Sequence, residues 1–480
     1  MTRPLAIARL DAGRDIGLGH LVRCRAVLDQ LGGLGWDRAI AVNAEAAAID
    51  GGADLVVVDG DDVAALRRRW PDGCALLIVD HYRRDGAFEG ALRGWAARIL
   101  VIDDLADRPH DADLLLDQTP GRRPEDYAAL VPADCRLLLG GEHALLRPQF
   151  QARRAAALAR SRDGAVERIL VSFGGTDPGN ITGRAIAAIA ATTYTGALDV
   201  VLGAAAPHAD GVAAALAPFG DRARLHRNVA DMGGLMATAD LAVGAAGVSS
   251  WERCALALPA VAIAVADNQR ACAAALAAAG AAVVTDEVGL RGALHHVLDD
   301  GALRREMAAR AGALCDGRGL QRLALALLPP IRRDGSVVTL RLAGPGDADM
   351  MLAWQAAPGV RRYARTPAVP ARAEHMAWLA RVLGDPGRWL MMIELDGRPA
   401  GILRLDTVAE GKFEVSILVD PACQGQGVAG RALALAAMLC PGAALLAEVD
   451  PANEASRTLF VRAGYVRQDE RHWEWRGLLA

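Results

Sequence analysis

The stretch "RDIGLGHLVRC", from Arg14 to Cys24, sets Gly17 and Gly19 just ahead of His20, where a short apolar run turns into a helical pattern. A histidine in the first turn of a helix feels the positive dipole end, which keeps the imidazole neutral and able to accept a proton near pH 7. The two glycines let the backbone, and hence a ligand, come close. The plainer reading of a lone histidine at a helix start is a cap or a surface residue. G-x-G between a strand and a helix suggests a dinucleotide fingerprint, but Val22 stands where that fingerprint wants glycine or alanine, so it fails. Two further loops offer anion chemistry. "GGTDPGN" ends a strand and opens a helix, which lets the amides of Gly174, Gly175 and Thr176 cradle a diphosphate. "PACQGQGVAGRALALAAM", a glycine-interrupted loop that opens a helix after the strand "FEVSILVD", favours an anion at the helix amino terminus, with pyrophosphate the natural guest. The "DGDD" cluster at Asp59 to Asp62 is explained by a strand-end aspartate followed by helix-capping ones, and no metal is expected.

The elements that position these loops are legible in composition and pattern. At 480 residues, 52% hydrophobic and 4% aromatic, the chain can bury several cores and is expected to form about three domains. Lys and Arg total 53 against 57 for Asp and Glu, and without a basic run there is no footprint for nucleic acid. The eight cysteines form no CxxC, which reads as reduced cytosolic thiols. The start is too soon interrupted for a signal peptide and no apolar stretch reaches roughly 18 residues, so a soluble cytoplasmic protein with no membrane partner is expected.

Short apolar runs alternate with alanine-rich helical stretches, the grammar of a parallel sheet with crossover helices. The first block holds "LAIARLD", "RAIAVN", "DLVVVDG", "ALLIVDH", "RILVIDD" and "DLLLDQ", several ending in aspartate at the edge where ligands bind in open α/β sheets. After a basic helix near Pro148, "RILVSFGG", "LDVVLG", "RARLHRN", "DLAVGA" and "AVAIAV" make a second block. The boundaries read as two Rossmann-like halves, 1–150 and 151–328, a linker at 329–336, and a third domain over 337–480. That last domain begins as a strand and two helices and continues as antiparallel strands.

The Q-x-x-G-x-A fit of Gln424 to Ala429, followed one strand later by "NEASRTLFVRAGYV", resembles the GNAT N-acetyltransferase family. The resemblance implies that the loop holds the pyrophosphate of coenzyme A, with acetyl-CoA as co-substrate, and that a splayed strand containing Ile417 and Val419 carries the pantetheine arm. It also matches Asn453 to the asparagine that opens the family's next helix. Phe460 stands where many members have a tyrosine that protonates the departing thiolate, so the general acid stays unassigned. Glu414 is the first candidate for the base that takes the amine proton, and Glu448 the next.

The first two blocks resemble the pseudaminic-acid-pathway UDP-sugar hydrolases, relatives of the GT-B glycosyltransferase that builds the peptidoglycan lipid intermediate. The resemblance rests on the His20 stretch and on "DHYRRD", "LLLDQTP", "ALLRPQF", "SFGGTDPGN" and "GVSSWERCALALPAVAIAVADNQ", in that order. It implies a GT-B-like pair of Rossmann-like domains followed by a mixed-sheet GNAT domain. By it, His20 is catalytic and Tyr82 lies on the sugar side. Glu252 binds the ribose hydroxyls, Ser249 and Ser250 lie near phosphate or sugar, and Asn268 and Gln269 line the sugar pocket. The expected protein is bifunctional. It acetylates the C4 amine of a UDP-linked amino sugar and then hydrolyses the diacetamido product to free sugar and UDP. Two alternatives stay open: a GT-B transferase fused to an acetyltransferase, and a non-catalytic nucleotide-sugar-binding module beside one.

Overall fold

The computed structural model describes residues 3–13, 16–52, 54–58, 60, 62–203 and 206–476. Its contacts divide the chain into two compact units, one of residues 5–28 and 38–320, the other of the described parts of 1–4, 29–37 and 321–480.

The larger unit contains two doubly wound halves. The first is a seven-stranded parallel sheet of β1 (Leu5–Leu10), β2 (Asp37–Val42), β3 (Leu55–Val57), β4 (Leu76–Asp80), β5 (Ile99–Ile102), β6 (Leu114–Asp117) and β7 (Arg136–Leu139), in the order β3-β2-β1-β4-β5-β6-β7. The second has β8 (Arg168–Ser172), β9 (Ala197–Leu202), β10 (Ala223–Arg227), β11 (Leu241–Ala245), β12 (Ala260–Ile263) and β13 (Val283–Thr285), in the order β10-β9-β8-β11-β12-β13. Both are the Rossmann order, which reverses beside the first strand of each half, between β1 and β4 and between β8 and β11. Helices cover both faces, so the central strands are apolar save for the aspartates that end β4 and β6, and every residue of β4, β5, β6, β11 and β12 is buried. This is the GT-B-like pair of domains expected. The sequence reading missed β7 and β13, short edge strands whose exposed flanks blur the apolar run.

The second unit carries a mixed sheet of β14 (Ile331–Arg333), β15 (Ser336–Leu342), β16 (Arg388–Leu395), β17 (Arg398–Ala409), β18 (Lys412–Val419), β19 (Ala444–Glu448), β20 (Val466–Arg467) and β21 (His472–Arg476), ordered β14-β15-β16-β17-β18-β19-β21-β20. Alternate residues of β16 serve two cores. Trp389, Met391 and Ile393 pack in the core that includes helix Val428–Leu439, while Leu390 and Met392 pack with helices Ala348–Ala356 and Arg372–Gly384. One expectation is corrected here. Residues 331–336 of the expected linker belong to the sheet, because Asp334 and Gly335 both have positive φ (52° and 78°) and so form a tight hairpin joining β14 to β15.

Close approach governs the switch point of the second sheet. Gly244 of β11 pairs with Ser172 of β8, and a Cβ on Gly244 would lie 2.3 Å from the Ser172 carbonyl oxygen. Gly244→Ala is therefore expected to destabilise the fold by about 1–3 kcal/mol, since backbone cannot yield as a side chain does; the melting temperature of the variant checks it.

Candidate functional site

The first cluster grows from the carboxyl edge of the first sheet. Asp80 ends β4 with no solvent exposure. Helix Gly19–Gly33 follows β1, the neighbouring strand, and sets His20 and Arg23 one turn apart over that carboxylate. His20 Nδ1 lies 2.5 Å from Asp80 Oδ1, and Arg23 donates from Nε to Oδ2 and from Nη2 to Oδ1, each at 2.6 Å. Burial alone would raise the Asp80 pKa, but Arg23 and His20 hold it well below the usual carboxylate range. An ionised carboxylate only accepts, so Nδ1 of His20 carries a proton towards Asp80 and Nε2 is the ring nitrogen that Asp80 leaves free. His20 does stand in the first turn of its helix, but the tautomer is set by Asp80, which the sequence reading did not single out. Its signal was the aspartate that closes "ALLIVDH"; what was missing is that β4 lies beside β1.

Tyr82, two residues past Asp80, turns its ring edge-on to His20, with centroids 4.6 Å apart and planes at 86°. Its hydroxyl accepts a hydrogen bond from Asn268 Nδ2 at 2.7 Å, which joins the two halves. His20 and Asn268 thus both touch Tyr82. The two glycines differ in their surroundings. Gly17, at φ 84°, exchanges backbone hydrogen bonds with Gly13. At Gly19 the space is taken by Val248 of the second half, whose Cγ2 would lie 3.1 Å from a Cβ there. Asp104, also missed, lies two residues past the end of β5 and accepts from Arg23 Nη1 at 3.2 Å; burial pushes its pKa up. Of the "DGDD" segment, Asp59 and Asp61 lie outside the described residues, and Asp62 bonds Arg9 and Arg84.

In the second half, the amides of Gly174, Gly175 and Thr176 donate to no acceptor among the described residues. The first turn of the helix beyond them offers fewer free amides. Asp177 accepts from the Ile181 and Thr182 amides, each at 2.9 Å, and Asn180 from Gly183 at 3.2 Å, so its first turn is already capped. Glu252 is buried, which raises its pKa, with Arg147 Nη2 3.4 Å away. Arg147 was quoted within "ALLRPQF" but given no role. Ser249 is half-buried. Ser250, expected beside phosphate or sugar, is 1% exposed, and its Oγ accepts from Arg253 at 2.8 Å, so it is withdrawn beneath the loop. Gln269 is half-buried and accepts from the Val265 amide at 3.1 Å.

In the mixed sheet, β18 and β19 run parallel and pair only from Lys412–Ala444 to Glu414–Leu446. β18 continues to Val419, so its edge from Val415 onward opens as a splay, with Ile417 and Val419 packed towards the core under helix Val428–Leu439. That helix has Gly427 at its N-cap with φ 72° and no capping side chain, and Gly425 has φ 77°. Its first amides, Val428 and Ala429 included, therefore have no capping acceptor among the described residues. Gln424 and Gln426 are exposed in the same loop, Gln426 donating from Nε2 to the Ala422 carbonyl at 3.1 Å. Glu414 and Glu448 flank the root of the splay, both bonded to Arg365: Nη2 to Glu414 Oε1 at 2.7 Å and Nε to Glu448 Oε2 at 2.8 Å. Arg365 was missed, for nothing local marks one arginine of "GVRRYART".

Residues 338–466 match the family model described as the Acetyltransferase (GNAT) domain. These residues form a GNAT domain. The chain is also similar to the spore coat polysaccharide biosynthesis protein SpsG of Bacillus subtilis, 27% identical over 206 residues (41% of this chain, 59% of that one). Similarity extends to the UDP-2,4-diacetamido-2,4,6-trideoxy-beta-L-altropyranose hydrolase of Campylobacter jejuni, 31% identical over 108 residues (22% and 37%). Among solved structures, Acinetobacter baumannii MurG is 17% identical, with 67% of this chain and 98% of that one covered and a TM-score of 0.47. The chain thus spans 59% and 37% of the length of the two curated relatives it matches here.

In the GNAT domain, Asn453 caps helix Glu454–Arg462, accepting from the Ser456 amide at 3.1 Å. Phe460 is buried edge-on against Tyr465, ring centroids 4.9 Å apart. Tyr465 does not replace the missing tyrosine. Its hydroxyl is buried near Cys440, at the opposite end of helix Val428–Leu439 from the glycine loop.

The Asp80 cluster makes a pH-dependent prediction. Asp80→Asn leaves Arg23 buried without its counter-charge and is expected to lower stability at neutral pH by about 3–5 kcal/mol. The folded pKa of Asp80 lies below its unfolded value. The stability it contributes is therefore present above roughly pH 4 and lost as the pH falls below that, so the melting-temperature gap between parent and variant narrows on acidification.

Proposed function

We propose that this chain carries out two consecutive steps on a UDP-linked amino sugar: acetylation of a sugar amine by the GNAT domain, then hydrolysis of the anomeric carbon–oxygen bond by the two doubly wound halves. The observation that carries the second step is the His20–Asp80 pair beside Tyr82 and Asn268. With Nδ1 held by the Asp80 carboxylate, Nε2 of His20 takes a proton from water as its oxygen bonds to the anomeric carbon. The carbon–oxygen bond breaks and UDP leaves with the electron pair, which inverts the anomeric centre. Tyr82 and Asn268 orient the sugar, the amides of Gly174 to Thr176 face the diphosphate, and Glu252 receives the ribose hydroxyls. The partial similarity to the Campylobacter jejuni hydrolase and to SpsG supports a nucleotide-sugar substrate; the specific sugar proposed is the 2,4-diacetamido-2,4,6-trideoxy-altropyranose that the hydrolase's name contains.

For the first step, the uncapped start of helix Val428–Leu439 fits the diphosphate of acetyl-CoA, which supplies the acetyl group as a thioester. The loop from Gln424 to Ala429 holds the diphosphate and the open edge of β18 at Ile417 and Val419 takes the extended arm. Glu414 is the proposed base, with Glu448 beside it. Both are paired with Arg365, so the base acts once the acceptor draws that guanidinium aside.

Incubating the chain with a UDP-4-amino sugar is expected to yield the acetylated free sugar and UDP only when acetyl-CoA is present, and the outcome is read by mass spectrometry. UDP release that requires an added organic acceptor makes the frame a transferase instead. His20→Asn keeps an N–H for Asp80 but removes the proton acceptor; turnover should fall by roughly a hundredfold or more with UDP affinity unchanged. Gly427→Val forces a β-branched residue into a left-handed conformation and is expected to raise KM for acetyl-CoA while UDP release from pre-acetylated substrate is untouched.

A further inference from the structure

The second half buries a cation for which the reading above has no use. Arg253 is 3% exposed and forms no ion pair with a carboxylate among the described residues. Its guanidinium donates only to neutral oxygens: Nη2 to the Ala245 carbonyl at 2.7 Å and to Ser250 Oγ at 2.8 Å, and Nη1 to Ser249 Oγ at 3.3 Å. Arg154, Arg162 and Arg304 also form no ion pair with a carboxylate among the described residues, yet Arg154 and Arg162 donate to carbonyls at the C-terminal ends of helices, where the dipole is negative, and Arg304 does so through Nη1 while its Nε and Nη2 donate to the carbonyls of Arg162 and Gly164. Arg253 reaches the opposite end of its own helix and finds hydroxyls. Burial pulls its pKa below the ordinary guanidinium value.

Its position matches a ligand. A Cβ on Gly244 would lie 2.9 Å from Arg253 Nη1, so the guanidinium rests against the paired ends of β8 and β11. That is the point at which the strand order of this sheet reverses, and so the crevice in which an open α/β sheet receives its ligand. The loop after β8 supplies the unpartnered amides of Gly174, Gly175 and Thr176. The loop after β11 supplies Ser249, half-buried, whose oxygen accepts from Arg253 and whose own proton is then left to donate outward.

We propose that Arg253 is the counter-charge of the nucleotide diphosphate, a positioning residue that works from beneath the Ala246–Ser249 loop through the Ser249 hydroxyl and through its field, without touching the ligand. A charge buried without a partner is costly, and a bound dianion removes that cost. The inference rests on reading the second half as a nucleotide-sugar site.

Calorimetric titration of the full chain with UDP, uridine and inorganic pyrophosphate tests it. Arg253→Met is expected to weaken UDP and pyrophosphate by roughly tenfold or more, to leave uridine affinity unchanged, and to keep or raise the melting temperature of the unliganded chain, since it removes an uncompensated buried charge. Arg253→Lys should recover most of the lost UDP affinity. Equal losses for UDP and uridine, unchanged UDP affinity, or a variant that no longer folds would each overturn the inference by giving Arg253 a merely structural part. A parent chain that binds neither UDP nor pyrophosphate overturns the nucleotide reading itself, and this inference with it.

Discussion

A carboxylate with no access to solvent, Asp80, sets the constraint on which the first site depends. Ionised in the interior it needs several donors, and helix Gly19–Gly33 provides them from two positions one turn apart, His20 and Arg23. The consequences run outward. Helix and strand are tied at the switch point of the sheet, the histidine is held in one tautomer, and Arg23 is left with a further N–H for Asp104. The chain leaves β4 at Asp80 and brings Tyr82 against the histidine ring, where its hydroxyl meets Asn268 of the other half.

Both sheets of the larger unit use the same topology, but they treat charge in opposite ways. In the first half the buried arginines Arg9 and Arg23 meet aspartates. In the second, Arg253 lies at the equivalent reversal of strand order with hydroxyls and a carbonyl only. In the GNAT domain the start of helix Val428–Leu439 has no side-chain cap, whereas helix Ile181–Ala190 has its first turn closed by Asp177 and Asn180. Two glycine-rich turns that read alike in the sequence therefore differ in what they offer. The difference lies in side chains three to five residues further on.

The sequence by itself determined the architecture and marked the loops that carry the candidate residues. Apolar runs of strand length separated by helical stretches require parallel sheets with crossover helices, and eleven of the thirteen strands of the larger unit stand where those runs are. Positive φ at Gly17, Gly174, Gly425 and Gly427 follows from local turn chemistry, which is why those loops were legible. Tertiary structure alone decided the partners. That Asp80 orients His20 depends on β1 and β4 being neighbours across 60 residues of chain; that Gly19 makes room for Val248, and that Arg365 bridges Glu414 and Glu448, depend on approaches between segments far apart in sequence. Periodicity reports which face of an element is buried. It carries no information on which buried charge will face which, because that is settled by strand order and by the desolvation cost that each ionised group must offset with whatever the fold brings within reach.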